Sequence, residues 1–166
     1  SIAEMNDWLV ENPPRTLREA CQFLAWFQSL DKMYGGGGGT GQIDELLRPF
    51  YEADRAAGLE DDEAVVWHIA SLIVNNPHYA QIGGPAPDGR DLTSPLSFLI
   101  LEATHRLRIP SNLAIRVHDG LDPQLLRRAV SYLFEDGTGP SYTCSKGLDE
   151  GYARNGVPLA LARLRA

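Results

Sequence analysis

Asn112-Leu113-Ala114-Ile115-Arg116-Val117-His118 alternates apolar with other side chains, the period-two pattern of a half-buried strand. Asp122-Pro123 then supplies a helix cap and first residue, and Leu125, Leu126, Ala129, Val130 and Leu133 recur at helical spacing up to Gly137 and Gly139. Pro140-Ser141-Tyr142-Thr143-Cys144 reads as a second short strand, with helices over 146–155 and 158–165 behind it. Strand, helix, strand, helix is the order of a β/α unit with parallel strands. The expected class is therefore α/β, helix-rich, with two or three short strands.

Upstream the pattern is helical. Ser94-Pro95 caps a helix bearing Leu96, Leu99, Ile100, Ala103 and Leu107, which Pro110 stops. Tyr79 to Pro85 is too rich in Gly and Pro for a helix and reads as a short extended segment or loop. Glu60-Asp61-Asp62-Glu63 opens a helix that carries Val65, Val66, Ile69 and Leu72 and ends near Asn76-Pro77. Ile43, Leu46, Leu47, Phe50 and Tyr51 mark another, interrupted by Pro49 and closed by Gly58, and Thr16 with Glu19 predicts a capping box for a helix over 17–33. Residues 3–11 form a first helix, ended by Pro13-Pro14.

Five glycines, Gly35 to Gly39, separate two of these helices. Glycine loses more conformational freedom on folding than any other residue, so an ordered run implies a positive φ, another backbone close by, or a ligand against bare main chain. A flexible linker is the alternative. The immediate return of apolar periodicity at Ile43 favours an ordered loop.

With 166 residues and 43% apolar content the chain is expected to form a single partial domain, residues 1–166. Its net charge of −7 argues against nucleic-acid or anionic-membrane partners, and no apolar run is long enough to span a bilayer. Two cysteines, Cys21 and Cys144, suit a reducing cytoplasm and leave one disulfide open. The chain starts at Ser1 and stops within a helical pattern at Ala166, as expected of an excerpt.

The motifs that carry chemistry are few. Gly36, Gly38 and Gly41 match a dinucleotide fingerprint in spacing, but they follow a helix where that motif needs a strand. Glu102 and His105 have di-iron spacing in a single copy, and read as a polar pair on a solvated helix face. His68, beside Trp67, reads as a hydrogen-bonded boundary residue, and Cys21, within an apolar stripe, as inert packing. His78 and Tyr79 lie in a loop able to face a cavity, and His118 ends the best strand, the edge where β/α folds place chemistry. Cys144 ends a short strand among Tyr142 and other polar residues, exposed and open to reaction.

Taken together, Gly41-Gln42-Ile43-Asp44, Arg48-Pro49-Phe50-Tyr51-Glu52, Gln81-Ile82-Gly83-Gly84, Asp88-Gly89, Asp91-Leu92-Thr93 and Asn112 to His118 resemble, in order, the pyruvate formate-lyase-like glycyl radical enzymes. Pro140-Ser141-Tyr142 is similar to their Pro-Ser-Phe segment. The resemblance implies a partial β/α barrel, cut from two antiparallel five-stranded half-barrels enclosed by helices. It also implies a lyase, dehydratase or decarboxylase that acts on a small organic substrate by thiyl-radical hydrogen abstraction. The radical would reside on a glycine, installed by a radical-SAM activase, in an anaerobic, cytoplasmic and homodimeric parent. The Gly-Cys loop and the radical-glycine motif are not recognisable here, so the chain is expected to be inactive alone, to bind no cofactor and to contain no catalytic residue. Neither Cys21 nor Cys144 is the thiyl residue. The substrate-contacting positions implied are Gly36, Gly37, His78, Tyr79, His118, Tyr142 and Cys144. Gly36 and Gly37 align with larger residues of relatives, which implies extra room and a bulkier, less hydroxylated substrate. Gln42 stands where the family has Arg. A non-catalytic helical interaction module is the alternative.

Overall fold

The computed structural model describes residues 1–36, 38–75 and 78–165. Along it run α1 (Ile2–Glu11), α2 (Leu17–Met33), β1 (Gly41–Gln42), α3 (Ile43–Ala56), α4 (Asp62–Asn75), β2 (Ala80–Ile82) and α5 (Pro95–Leu107). Then come β3 (Leu113–Val117), α6 (Pro123–Asp136), β4 (Ser141–Cys144), α7 (Ser145–Arg154) and α8 (Leu159–Arg165). The strands form one parallel sheet in the order β1-β2-β3-β4, with helices carrying the chain between neighbours as parallel pairing requires. The expectation of two or three strands is corrected to four. The extra one, β1, is two residues long and begins with glycine, so no alternation could reveal it; pairing of Gly41 with Ala80 and Gln42 with Gln81 defines it.

Register sorts the side chains. Ile82, Leu113 and Ile115 turn to one face and pack with Ile43, Leu47, Ile69, Leu96, Ile100 and Leu125 from the helices. Burying each such side chain contributes about 1.5–3 kcal/mol. The other face carries Gln42, Gln81, Ala114, Arg116, Ser141 and Thr143. Parallel sheets normally bury apolar residues on both faces, so this polar face is the unusual feature of the fold.

Local signals set most helix ends. Asp122 Oδ1 accepts from Gln124 N at 2.7 Å, with Pro123 as first helical residue. Ser97 Oγ accepts from Ser94 N at 3.0 Å at the head of α5. At α2 only half of the expected capping box forms. Thr16 Oγ1 accepts from Glu19 N, but the Glu19 carboxylate turns to Arg15, both its N–H (2.7 Å) and its guanidinium. That pairing is the first cause of a lowered Glu19 pKa. Asp54 of α3 supplies a further acceptor to the same helix end, taking Leu17 N at 2.7 Å. The chain is helical straight through Pro49, so the interruption expected there is absent.

Glu102 and His105 belong to the scaffold. Glu102 accepts from Tyr132 OH at 2.5 Å and Arg106 Nε at 2.7 Å, while His105 Nδ1 meets Asp136 at 2.8 Å with its ring stacked on Tyr132. Arg106 also forks onto Glu63 at 2.6 and 2.8 Å, so the network ties α5 to α6 and α4. Among the described residues no helix is long and apolar enough to cross a membrane.

Candidate functional site

The glycine loop is held against the start of β2. Thr40 N donates to Tyr79 O at 2.7 Å, His78 Nδ1 meets Gly38 O at 2.8 Å, and Gln28 Nε2 donates to Thr40 Oγ1 at 3.1 Å. A Cβ on Gly39 would fall 2.8 Å from the Tyr79 carbonyl oxygen. The close backbone approach expected of this run is therefore present, and the obstacle is main chain that cannot swing aside. We expect Gly39→Ala to separate β1 from β2 and to lower stability by about 1–3 kcal/mol, as overpacking does. Loss of amide-exchange protection at Thr40 and Ala80 would report it; unchanged protection would contradict it.

At Gly36 the outcome differs from expectation. Its N–H donates to Asp31 O at 2.8 Å, and a Cβ there would lie 2.0 Å from Asp31 Oδ1. The Asp31 carboxylate occupies the room that a side chain at Gly36 would take. Gly37 lies outside the described residues.

His78 holds the loop through Nδ1, which must carry the proton because Gly38 O can only accept. It lines a 20 Å³ recess with Gln28, Thr40 and Ala80, far below the size of a substrate site. Tyr79, 66% exposed, stands over an open cleft of 660 Å³ that it shares with Gln81, Ala114, Ser141, Tyr142 and Thr143. Burial raises the Tyr142 hydroxyl pKa. His78 and Tyr79 thus meet the glycine loop at the edge where the strands begin, and Tyr142 shares the cleft there with Tyr79.

His118 and Cys144 lie at the edge where the strands end, His118 just past the five residues of β3 and Cys144 the last residue of β4. His118 Nδ1 accepts from Gly120 N at 3.3 Å, which leaves the proton on Nε2 to be donated to Asp91 Oδ1 at 2.9 Å. Asp91 Oδ2 accepts from Asp122 N at 3.0 Å. Both ring nitrogens are engaged, so His118 fastens two loops together and shows no free acid–base position. It lines a second cleft, of 340 Å³, with Asp119, Lys146, Asp149 and Arg163. Of the described candidates, Tyr79 and Tyr142 therefore line the cleft where the strands begin, and His118 the one where they end.

Both cysteines are free. Burial pushes the Cys21 thiol up to about 12, so it stays protonated and inert. Cys144 is exposed. His68 Nε2 meets Glu60 at 2.9 Å, as a boundary histidine does. No group of three or more His, Cys, Asp or Glu side chains among the described residues could hold a metal ion.

Two buried residues escaped the sequence reading. Asp44, 0% exposed, accepts from Gly83 N (2.8 Å), Ser97 Oγ (2.6 Å) and Glu45 N (3.0 Å). One carboxylate thus ties the start of α3 to the loop after β2 and to the head of α5. Burial pushes its pKa up to about 6. Arg116, also 0% exposed, projects from the polar face, and burial lowers its pKa. The only signal for it was a charge at an alternating position of the best strand.

A parallel sheet armoured with helices on one face and polar on the other is a section of β/α barrel wall. The chain matches the pyruvate formate lyase-like family model over residues 1–166, and it belongs to that family. Isethionate sulfite-lyase of Nitratidesulfovibrio vulgaris is 32% identical over 165 residues, covering 84% of this chain and 20% of that protein. A Roseburia inulinivorans structure concerned with 1,2-propanediol dehydration has a TM-score of 0.90 at 25% identity, over 98% of this chain and 23% of that one. The glycerol-bound B12-independent glycerol dehydratase of Clostridium butyricum shares the fold, with a TM-score of 0.87 at 22% identity, over 98% of this chain and 23% of that one. The chain spans about a fifth of the length of the curated relatives it matches.

Proposed function

We propose that residues 1–166 are part of the barrel wall of a glycyl radical lyase, dehydratase or decarboxylase acting on a small organic molecule. The observation that carries this is the polar sheet face. Gln81, Ala114, Ser141 and Thr143 open on the 660 Å³ cleft under Tyr79, a volume suited to a small ligand. A parallel sheet with such a face needs a second layer, which the opposite half of a barrel would supply. The relatives named above are concerned with isethionate, 1,2-propanediol and glycerol, and we assign this chain's parent a substrate of similar size.

In this reading the radical chemistry belongs to a glycine and a cysteine in other segments. A separate radical-SAM activase generates the glycyl radical, and the parent is a homodimer in an anaerobic cytoplasm. The residues here shape the cavity and hold its wall rigid. Gly36 and Gly39 let the loop lie flat against its neighbours, His78 pins it, and Tyr79 and Tyr142 flank the opening. Cys144 and His118, at the far edge, take no part in hydrogen transfer.

The test is anoxic co-expression of the whole reading frame with a radical-SAM activase. A glycyl doublet in the electron paramagnetic resonance spectrum, with turnover of a small hydroxylated substrate, is the expected result, while the 166-residue chain alone turns over nothing. Turnover by that chain without activase, or a reading frame that yields no radical, would overturn the proposal.

A further inference from the structure

Away from the glycine rim, two fully buried polar groups have no hydrogen-bond partner. Arg116 leaves Nε, Nη1 and Nη2 unpaired, and Ser145 leaves Oγ unpaired; each residue is 0% exposed. Sheet register brings them together. Arg116 pairs with Thr143, and Ser145 follows two positions later, where β4 becomes α7. Asp149, one helical turn beyond Ser145, is close enough for its charge to act on Arg116.

Neither nearby carboxylate satisfies the guanidinium. Asp149 Oδ2 accepts from Arg163 Nε at 3.0 Å, and Asp44 is committed to Gly83, Ser97 and Glu45. The arginine is also pinned, since a Cβ on Gly84 would sit 2.9 Å from its Cβ and 3.1 Å from its Nε. The ten-residue helix α7 starts here with no side-chain cap, so the amide groups of its first turn, at Ser145, Lys146 and Gly147, have no side-chain acceptor. An unpaired buried guanidinium is strongly unfavourable. Donors on a side chain, a hydroxyl and a helix end, all without acceptors, are the complement of an anion's oxygens.

We propose that Arg116, Ser145 and the first turn of α7 form a binding site for a small oxyanion, beside the cleft lined by Asp119, Lys146, Asp149, Glu150 and Arg163. The planar guanidinium fork matches two oxygens of such a group. The Ser145 hydroxyl and the α7 amides serve the others. The site lies at the opposite sheet edge from the glycine rim and does not depend on the enzyme reading.

Thermal unfolding of the protein carrying residues 1–166, titrated with sodium sulfate against sodium chloride at matched ionic strength, tests it. Sulfate is expected to raise the midpoint saturably, by about 3 °C at ten times its dissociation constant. Ser145→Asp places a carboxylate on the donors, and Arg116→Met removes the unpaired charge. Each should raise the midpoint in chloride and abolish the saturable sulfate response. The general stabilising action of sulfate persists in both variants and serves as the baseline. An equal response in wild type and both variants, or none beyond chloride in the wild type, would overturn the site.

Discussion

Gly84→Ala is expected to destabilise the chain more than alanine at any other glycine described above. Two costs combine there. Gly84 has φ +98°, a conformation that residues with a Cβ adopt only with strain, at about 1–3 kcal/mol. The new Cβ would also meet Arg116 at Cβ, Cδ and Nε, 2.9 to 3.1 Å away. Arg116 is fully buried and cannot yield, so overpacking adds about 1–3 kcal/mol. The sum, about 2–6 kcal/mol, corresponds to a midpoint lowered by roughly 5–20 °C for a chain of this size.

Gly156→Ala separates the two contributions. Gly156 has φ +76° with nothing within 4 Å of an added Cβ, so only the strain applies, and the loss should be about 1 kcal/mol. Midpoints for the two variants within a couple of degrees of each other would show that Arg116 does not pack against Gly84 as described. The comparison bears on the oxyanion site as well, because it is this packing that keeps the guanidinium in place.

How much of this was readable beforehand depends on whether the signal was local. The β3 alternation, the caps at Ser94-Pro95 and Asp122-Pro123, and the αL stop at Gly137 depend on near neighbours, and all appear in the structure. Glu19 shows where local reading ends. Its spacing from Thr16 suits a capping box, yet a guanidinium four residues back competes successfully for the carboxylate. β1 was invisible because a two-residue strand has no period; it exists through Ala80 and Gln81, some forty residues away. His118 sat at the expected edge, but only its contacts show that both ring nitrogens are taken. Gly36 looked like spare room until Asp31, in the preceding helix, was seen to fill it. For Arg116 the alternation hinted at a polar face, while the lack of any partner is a property of the folded surroundings alone.

Asp44 should make the chain more stable in mild acid than at neutrality, the reverse of the usual carboxylate behaviour. Its folded pKa of about 6 lies above the ordinary aspartate value of 3.8, chiefly because burial disfavours the charge despite three hydrogen bonds to it. Between those values the folded chain binds a proton that the unfolded chain has released. Stability from this group is therefore full below about pH 4 and falls as pH rises through 6. A difference of two pKa units corresponds to about 3 kcal/mol. Carboxylates such as Glu19 and Glu102, whose pKa values are lowered by Arg15 and by Tyr132, push the whole profile the other way, so Asp44 must be isolated by difference. Asp44→Asn keeps the shape, cannot ionise, and gives the reference. Its amide cannot accept from all three donors, so at pH 4 the wild type should be the more stable of the two. That advantage should shrink by about 3 kcal/mol between pH 4 and pH 7 in denaturant titrations. A gap that stays flat, or widens as pH rises, would mean that Asp44 is ionised without penalty, and that the joint between α3, the loop after β2 and α5 rests on an ordinary solvated carboxylate.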